Sequence, residues 1–285
     1  MSDRSPATTA QLDLRVHVIE PAARWSSLHL SELVEYRELL FFLIWREVKV
    51  RYKQTALGVA WAVMQPFFTM VVFTIFFGRL AKAPSDGVPY PVFAYCALLP
   101  WQLFASALTE SSNSVVANQR LITKVYFPRL IIPLAAVCVG LADFVVAFVI
   151  LIGMMLYYGI VPTLAVLTLP LWTALAVATA LAAGLWLSAL NVRYRDVRYT
   201  LPFFTQLWLI CTPVAYAVSW FPEQWRPLFA LNPMFGVVEG FRWALLGRGE
   251  GPGLTVAISS AVVGLLLVGG LFYFRRTERT FADIV

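Results

Sequence analysis

Charged residues are scarce in this sequence. Asp, Glu, Lys and Arg together make up 13% of the 285 residues, whereas hydrophobic residues make up 60%. Soluble domains contain about 25% charged residues, so this composition excludes an ordinary soluble domain. Together with the long apolar segments described below, it predicts an all-α integral membrane protein.

Cysteine and histidine are also rare. Cys96, Cys138 and Cys211 are scattered through apolar segments, and His17 and His29 lie outside those segments. Disulfide frameworks and cysteine–histidine metal sites need closely and regularly spaced residues. We therefore expect neither a metal site nor a catalytic site of that kind in this chain.

The phosphate-binding loop G-x-x-x-x-G-K-[ST] is absent from the sequence. Because such a loop cradles the phosphates of a nucleotide, the chain is not expected to be an ATP-driven motor by itself. It is not expected to be an enzyme by itself either, because it lacks the acid clusters or metal site that a membrane-embedded glycosyl-transfer enzyme would need. The sequence also has no internal repeat and no matching pair of broken helices in its two halves. Both are typical of secondary transporters, so their absence counts against that class.

Six apolar segments are long enough to cross a bilayer, which takes about 20 helical residues. We predict a transmembrane helix in each of them. They lie at 58–78, 91–111, 131–158, 163–190, 200–221 and 254–274.

Lys and Arg are distributed unevenly around these segments. They are frequent before residue 58, in the second and fourth connections and after residue 274, and they are sparse in the first and third connections. Because cytoplasmic loops carry an excess of Lys and Arg, the pattern places both termini of this multi-pass protein in the cytoplasm. The net charge of +6 then reflects topology, and no nucleic-acid partner is expected.

The chain divides into four parts by these criteria. They are a cytoplasmic arm (1–30), an amphipathic interface helix (31–57), the membrane domain (58–275) and a cytoplasmic tail (276–285). The membrane domain has six helices and includes a re-entrant hairpin at 222–250.

The interface helix is predicted from its short apolar centre and its basic face. The centre, LLFFLIW, has only seven residues, and Arg46, Lys49 and Lys53 follow it on one helical face. This pattern is typical of a helix that lies in the inner leaflet with its basic side chains at the lipid headgroups. The alternative is that the segment is the cytoplasmic end of the first spanning helix.

The second connection contains a short basic helix, VVANQRLITKVY, in which Arg120 and Lys124 are one turn apart. A basic loop that follows the topology rule would explain this composition. A docking helix for a cytoplasmic partner would explain it equally well. The candidate docking residues are Asn118, Gln119, Arg120, Lys124 and Tyr126.

The first and fifth apolar segments carry polar and aromatic residues at helical spacing along one face. Aromatic rings that stack on sugars, with hydroxyl groups in reach, would let a polymer slide past. The alternative is ordinary helix packing with aromatic belts at the membrane interfaces. The predicted substrate path consists of Trp61, Gln65, Phe68 and Phe76 in the first segment, and Thr205, Trp208, Thr212 and Tyr216 in the fifth.

Asp143 lies deep within the third apolar segment. An ionisable group at such a depth is costly and is a candidate for function. Its helical face also carries Ala136, Gly140 and Ala147, small residues that allow another helix to approach closely. A buried, hydrogen-bonded packing role is therefore favoured over a proton or substrate site.

The stretch LNPMFGVVEGFRWALLG, at 231–247, predicts a short capped helix. Asn232 suits the N-cap, Pro233 the first helical position and Gly247 the C-terminal end. The resulting 14 residues are too few to cross a bilayer.

Glu239 and Arg242 lie one turn apart in this short helix and can neutralise each other. A second short apolar piece, which begins near Trp225, precedes it. Helices that do not span are tolerated at membrane depth only where they are buried in protein or line a cavity. The hairpin is therefore predicted to form a gate or collar at the outer mouth, with Trp225, Asn232, Pro233, Glu239 and Arg242 as its residues.

The order of these elements and four stretches resemble the membrane subunit of bacterial ABC-2 type exporters of O-antigen, capsule and teichoic acid. The resemblance covers roughly residues 31–275. The stretches are RYKQTALGVAWAVMQP (51–66), LITKVYFPRLIIPLA (121–135), NVRYRDV (191–197) and LNPMFGVVEGFRWALLG (231–247).

The resemblance implies a homodimeric channel in the bacterial inner membrane. It also implies two copies of a separate ATPase, which binds ATP and Mg, and a lipid-linked polysaccharide as substrate. The short helix of the second connection would be the coupling helix on that ATPase, and the family's outer re-entrant helices match 225–231 and 233–246. The alternatives are an ABC-2 exporter of a small molecule or lipid, and a membrane-embedded glycosyl-transfer enzyme, for which Asp143 is the only acid deep in a segment.

Overall fold

The computed structural model describes residues 30–53, 58–248, 251 and 253–281. The predicted N-terminal arm, apart from its last residue, and the end of the C-terminal tail lie outside these residues. The described part of the chain is helical and contains no strand. This agrees with the predicted all-α class.

The helices follow one another along the chain, and the longest ones form the bundle. The third helix continues as a π-helix from Thr74 to Leu80. The α-helices in the described residues are α1 (Leu30–Glu35), α2 (Arg37–Lys53), α3 (Gly58–Phe73), α4 (Tyr90–Ala117), α5 (Gln119–Lys124), α6 (Ile131–Tyr157), α7 (Leu169–Arg193), α8 (Val197–Cys211), α9 (Arg226–Ala230), α10 (Pro233–Leu246) and α11 (Leu254–Thr277).

Within the described residues, five helical stretches are long and apolar enough to cross a membrane. They correspond to five of the six predicted segments. Since about 20 helical residues cross the hydrocarbon core, each of the five has sufficient length. They are Ala60–Leu80, Tyr90–Ala117, Ile131–Tyr157, Leu164–Arg193 and Leu254–Thr280.

The predicted fifth spanning helix, at 200–221, is interrupted. α8 has only 15 residues and ends at Cys211, and Thr212 adopts an extended conformation with φ −100° and ψ 136°. The cause is Pro213, because a proline disfavours the helical conformation of the preceding residue and lacks an N–H donor of its own. The prediction of one continuous helix through this segment is therefore wrong.

α4 is the central helix of the bundle. It packs against α6 on one side and α7 on the other, and α11 lies against α7. An uninterrupted series of residues from Val92 to Trp101 is buried. At Gly184 of α7, an added Cβ would lie 2.4 Å from the Ser111 hydroxyl oxygen of α4. This small residue therefore permits the close approach of the two helices.

α3 and α2 are much less enclosed than α4. In the apolar part of the first spanning stretch 11% of the residues are buried, compared with 78% in that of α4. In α2, whose residues are all described, Leu43 is the buried side chain, while Phe41, Phe42 and Trp45 are exposed. Exposed aromatic side chains suit contact with lipid at the membrane interface. The interfacial position of α2 nevertheless stays a prediction.

Candidate functional sites

Asp143 of α6 is hydrogen-bonded to two residues near the end of α2. Its carboxylate accepts a hydrogen bond from Arg51 Nη1 at 2.6 Å and another from the Tyr52 hydroxyl. Burial and this hydrogen bond raise the pKa of the Tyr52 phenol, so the hydroxyl remains a donor at neutral pH. The Asp143 side chain is 26% exposed, which makes it less buried than the sequence predicts.

Arg51 and Arg46 also connect α2 to α4. Arg51 Nη2 donates to Glu110 Oε1 at 2.6 Å, and Arg46 Nη2 donates to Asn118 Oδ1 at 3.0 Å. Arg51 follows Arg46 on α2, whereas Glu110 precedes Asn118 on α4. α2 packs mainly against α6, and these two hydrogen bonds also link it to α4 and to the residue that follows α4. Sequence reasoning missed these contacts, because no local spacing indicates partners so far apart in the chain.

The short helix of the second connection is present as α5. Arg120 and Lys124 are exposed, and the Tyr126 side chain is 83% exposed. Ile122 is buried and holds α5 against the bundle. These residues form an accessible basic surface, which we call the α5 surface.

The other two predicted docking residues, Gln119 and Asn118, differ in their surroundings. Gln119 begins α5 and is exposed. Asn118 links α4 to α5, and its amide nitrogen donates to the Ser114 carbonyl at 2.9 Å, while its oxygen accepts from Arg46. The Asn118 side chain is therefore directed towards α2.

The predicted 14-residue helix is present as α10, with the ends that the sequence predicts. Asn232 Oδ1 accepts a hydrogen bond from the Met234 backbone N–H at 3.0 Å, and Gly247 ends the helix with φ +64°. A left-handed conformation at this position favours glycine. Asn232 Oδ1 also accepts from Trp208 Nε1 at 2.8 Å, so the cap of α10 is joined to α8.

A buried ion pair lies in the middle of α10. Glu239 and Arg242 are 2% and 1% exposed, and Arg242 Nη1 lies 3.0 Å from Glu239 Oε1. The guanidinium group also stands over the Phe93 ring at 3.8 Å from its centroid. A cation over an aromatic face is stabilised by the ring quadrupole, particularly where water is excluded.

Arg242 also binds the backbone where the fifth segment is interrupted. Nη2 donates to the Val214 carbonyl at 2.9 Å and Nη1 donates to the Tyr216 carbonyl at 3.3 Å. Because α8 ends at Cys211, these carbonyls have no helical donors, and a buried unpaired carbonyl would cost about 1–3 kcal/mol. Arg242 thus stabilises the irregular backbone after Pro213.

α10 is enclosed by the bundle instead of forming an exposed collar. It packs against α4, α7 and α11, and most of its side chains are buried. Pro233 is among the buried residues, whereas Trp225, in a short 3₁₀ turn before α9, is 50% exposed. A gating role for these residues stays a prediction.

The predicted substrate-path residues divide into two groups. Trp61 and Phe68 of α3 are 57% and 55% exposed, and Phe76, in the π-helix that continues α3, is 58% exposed. Gln65 of α3 is exposed as well. We call this the α3 face. Its side chains are available to a substrate or to a second chain.

The group in the fifth segment does not share one helical face. Thr205 and Trp208 belong to α8, whereas Thr212 and Tyr216 lie beyond its end. Thr212 is buried, and the Tyr216 hydroxyl donates to the Ile210 carbonyl at 2.9 Å. The prediction of a continuous stripe is therefore wrong, because Pro213 ends the helix on which it depends.

Thr205 and Trp208 line an apolar groove of about 1000 Å³ between α4, α7, α8, α9 and α11. The Thr205 hydroxyl bonds back to the Leu201 carbonyl of its own helix at 3.1 Å, and Trp208 Nε1 donates to Asn232. Since these polar groups are already hydrogen-bonded within the protein, the groove suits hydrocarbon better than sugar.

The bundle contains five helical stretches long and apolar enough to cross a membrane among the described residues, as expected of a multi-pass membrane protein. Residues 38–246 match the family model of ABC-2 type transporters. The chain therefore belongs to the ABC-2 type transporter family.

Individual relatives are named for O-antigen export and polysialic acid transport. O-antigen export system permease protein RfbA of Myxococcus xanthus is 29% identical over 253 residues, which cover 87% of this chain and 96% of that protein. RfbA of Klebsiella pneumoniae is 28% identical over 250 residues, covering 87% and 95%. Polysialic acid transport protein KpsM of Escherichia coli is 21% identical over 237 residues, covering 83% and 92%.

Proposed function

We propose that this chain is the permease subunit of an ATP-driven exporter that moves a lipid-linked polysaccharide across the bacterial inner membrane. It acts as a homodimer with two copies of a separate ATPase, which binds ATP and Mg. The observation that carries the proposal is the similarity to O-antigen and polysialic acid export permeases over 83–87% of the chain. The polysaccharide is of the O-antigen, capsule or teichoic-acid type.

Deletion of the gene in its native bacterium tests this proposal. Surface polysaccharide is then lost, and the lipid-linked polymer accumulates on the cytoplasmic side of the inner membrane. Expression of this chain restores export only when the ATPase is also present. Unchanged surface polysaccharide in the deletion strain would contradict the proposal.

Export of a lipid is the second candidate function. The apolar groove beside α8 favours it, because the polar groups of Thr205 and Trp208 are hydrogen-bonded within the protein. ATP-dependent movement of a labelled phospholipid by the purified complex, in the absence of any polysaccharide, would support lipid export. Movement that requires a sugar chain on the lipid would support the polysaccharide exporter.

The α3 face is proposed to line the polysaccharide path. Trp61→Ala and Phe68→Ala are expected to reduce export several-fold without loss of folding, because each removes a ring on which a sugar can stack. Stacking of nucleic-acid bases on aromatic side chains contributes about 1–3 kcal/mol per base, and we take this as the scale for sugars. Export per assembled complex is the measurement. Tyr157→Ala, which removes an aromatic residue that is 84% exposed at the end of α6, is the matched control and leaves export unchanged. Equal export by all three variants would remove the α3 face from the path.

The α5 surface is proposed to dock on the ATPase. Arg120→Glu with Lys124→Glu is expected to weaken binding of the ATPase about tenfold or more, because charge reversal turns attraction into repulsion across an interface. Co-purification of the ATPase and export per ATP hydrolysed are measured. The control reverses Arg79 and Lys82, two exposed basic residues of the first connection. Wild-type binding by the α5 variant would exclude this docking surface.

A further inference from the structure

Three arginines are concentrated where α7 gives way to α8. Arg193 ends α7, Arg195 lies in the turn, and Arg198 belongs to the first turn of α8. All three are exposed, and within the part of the chain that the structure describes none of them takes part in an ion pair. Asp196 in the same turn leaves an excess of two positive charges. We call Arg193, Arg195 and Arg198 the arginine cluster.

Two tyrosine rings orient the side chains of this cluster. The Arg193 guanidinium stands over the Tyr194 ring at 5.4 Å from its centroid, and the Arg198 guanidinium stands over the Tyr199 ring at 4.7 Å. Such stacking occupies the face of a guanidinium group and leaves N–H donors at its edge for an anion. The two tyrosines are 53% and 69% exposed, and exposed tyrosines are enriched where a membrane meets water. The cluster therefore has the composition of a site at the level of the lipid headgroups.

The apolar groove beside α8 begins at this cluster. Val197, which lies between Arg195 and Arg198 in the chain, lines one end of the groove, and Cys211 lines the other. At a rise of 1.5 Å per residue this distance is about 21 Å, whereas one leaflet contributes about 15 Å of hydrocarbon core. The groove is thus long enough to hold the acyl chains of one leaflet. Its apolar walls include Ala183, Leu187, Leu201, Phe204, Leu228 and Leu266.

The cluster and the groove together indicate what kind of molecule covers this surface. Acyl chains suit the apolar walls, and a phosphate suits the arginines, because a guanidinium group donates two parallel hydrogen bonds to it. The α3 face of a second copy would match the walls but not the charge, since α3 and the π-helix after it contain no acidic residue. Basic pockets between membrane helices on the cytoplasmic side are typical sites for anionic phospholipids.

We propose that the arginine cluster and the apolar groove beside α8 bind an anionic phospholipid, with its phosphate at the cluster and its acyl chains in the groove. The distribution of Lys and Arg predicts that this end of α8 faces the cytoplasm, so the lipid belongs to the inner leaflet. The bound lipid supports α8, which packs mainly against α4 and α7. This site goes beyond the proposed function, because binding of the lipid requires neither the ATPase nor a polysaccharide.

Quenching of tryptophan fluorescence by brominated lipids tests the site. Trp186 lines the groove, and bromine on an acyl chain quenches the indole rings close to it. The full chain is placed in vesicles of phosphatidylcholine and phosphatidylglycerol, with bromine on one of the two lipids. The quenching that is lost in Trp186→Phe reports on the groove. Phosphatidylglycerol is expected to bind there about tenfold or more tightly than phosphatidylcholine, because each arginine near the membrane surface attracts an anionic headgroup.

Variants of the cluster separate its charge from the general basicity of the chain. Arg195→Gln with Arg198→Gln is expected to lower the affinity for phosphatidylglycerol about tenfold or more. Arg195→Lys with Arg198→Lys retains the charge and is expected to keep most of the preference. The matched control, Arg79→Gln with Lys82→Gln, removes the same charge from two exposed residues of the first connection and leaves the preference unchanged.

The possible results either support or overturn the site. A preference for phosphatidylglycerol that depends on the cluster supports it. Equal quenching by the two lipids, or no quenching of Trp186 by either, would overturn it; the second result would mean that protein, such as a second copy, covers the groove. Displacement of phosphatidylglycerol by a smaller amount of a polyprenyl diphosphate would assign the groove to the lipid end of the substrate instead. Because the chain is measured without its ATPase, failure of the proposed export function would leave these results unchanged.

Discussion

Glu239→Ala is expected to lower the free energy of unfolding by about 3–5 kcal/mol, because it leaves Arg242 buried without its counter-charge. Both side chains of this pair are almost completely buried, and the guanidinium also holds the Val214 and Tyr216 carbonyls. The variant should therefore accumulate to a low level and unfold at a clearly lower Tm in detergent. Thermal unfolding of the purified protein is the measurement.

The chain provides a matched control for this change. Glu223 and Arg226 form a second Glu–Arg pair with the same i,i+3 spacing, but the Glu223 side chain is 87% exposed and the two groups are 3.7 Å apart. Glu223→Ala is expected to cost about 0–1 kcal/mol, since exposed ion pairs contribute little. Equal losses in the two variants would show that burial does not determine the contribution of the Glu239–Arg242 pair.

Gly240→Ala is expected to destabilise the protein by about 1–3 kcal/mol through overpacking. A Cβ at this position would lie 2.4–2.7 Å from three ring atoms of Trp172 in α7. The indole has little freedom to withdraw, because the ring is buried and its Nε1 donates to the Thr168 hydroxyl at 2.9 Å. The change in Tm and the yield of folded protein are measured.

Gly264→Ala is the matched control in α11. Apart from its chain neighbours and the nearby backbone of its own helix, nothing in the described residues lies within 4 Å of the position that its Cβ would take. Because alanine favours the helix by about 0.5–1 kcal/mol over glycine, this variant should be neutral or slightly more stable. A Gly240→Ala variant as stable as Gly264→Ala would mean that α7 and α10 separate easily and that the tight contact is not required.

Local signals predicted α10 well. Asn232, Pro233 and Gly247 determine the ends of a helix through hydrogen bonds and backbone angles that involve only nearby residues. The pairing of Glu239 with Arg242 follows from the same local periodicity. What the sequence does not determine is the burial of the pair, which results from the packing of α10 against α4, α7 and α11.

The sequence contained an indication that the fifth segment is interrupted, but hydropathy alone does not reveal it. Pro213 stands within an apolar run, and length and composition favoured one continuous helix there. A proline ends a soluble helix readily, but in membrane helices it is often tolerated because neighbouring groups satisfy the freed backbone. Here Arg242 of α10 donates hydrogen bonds to two of the backbone carbonyls that have no helical donor after α8 ends.

The contacts of Asp143 could not be predicted from the sequence, for a different reason. Arg51 lies 92 positions away, and its role depends on how α2 is placed beside α4 and α6. Small residues such as Gly140 did indicate a close approach, since its Cβ would lie 3.3 Å from a Leu103 methyl carbon. They could not identify the helix that supplies the charge.

The low burial of α3 leaves its exposed face with few packing constraints. A residue that packs against few others can change with little effect on folding, since substitutions away from packed or strained positions usually alter stability by less than about 0.5 kcal/mol. Trp61, Phe68 and Phe76 are exposed in this way, whereas most of α4 is not. Substitutions on the α3 face are therefore expected to change its surface chemistry at little cost to folding, whereas substitutions in α4 would disturb the packed centre of the bundle.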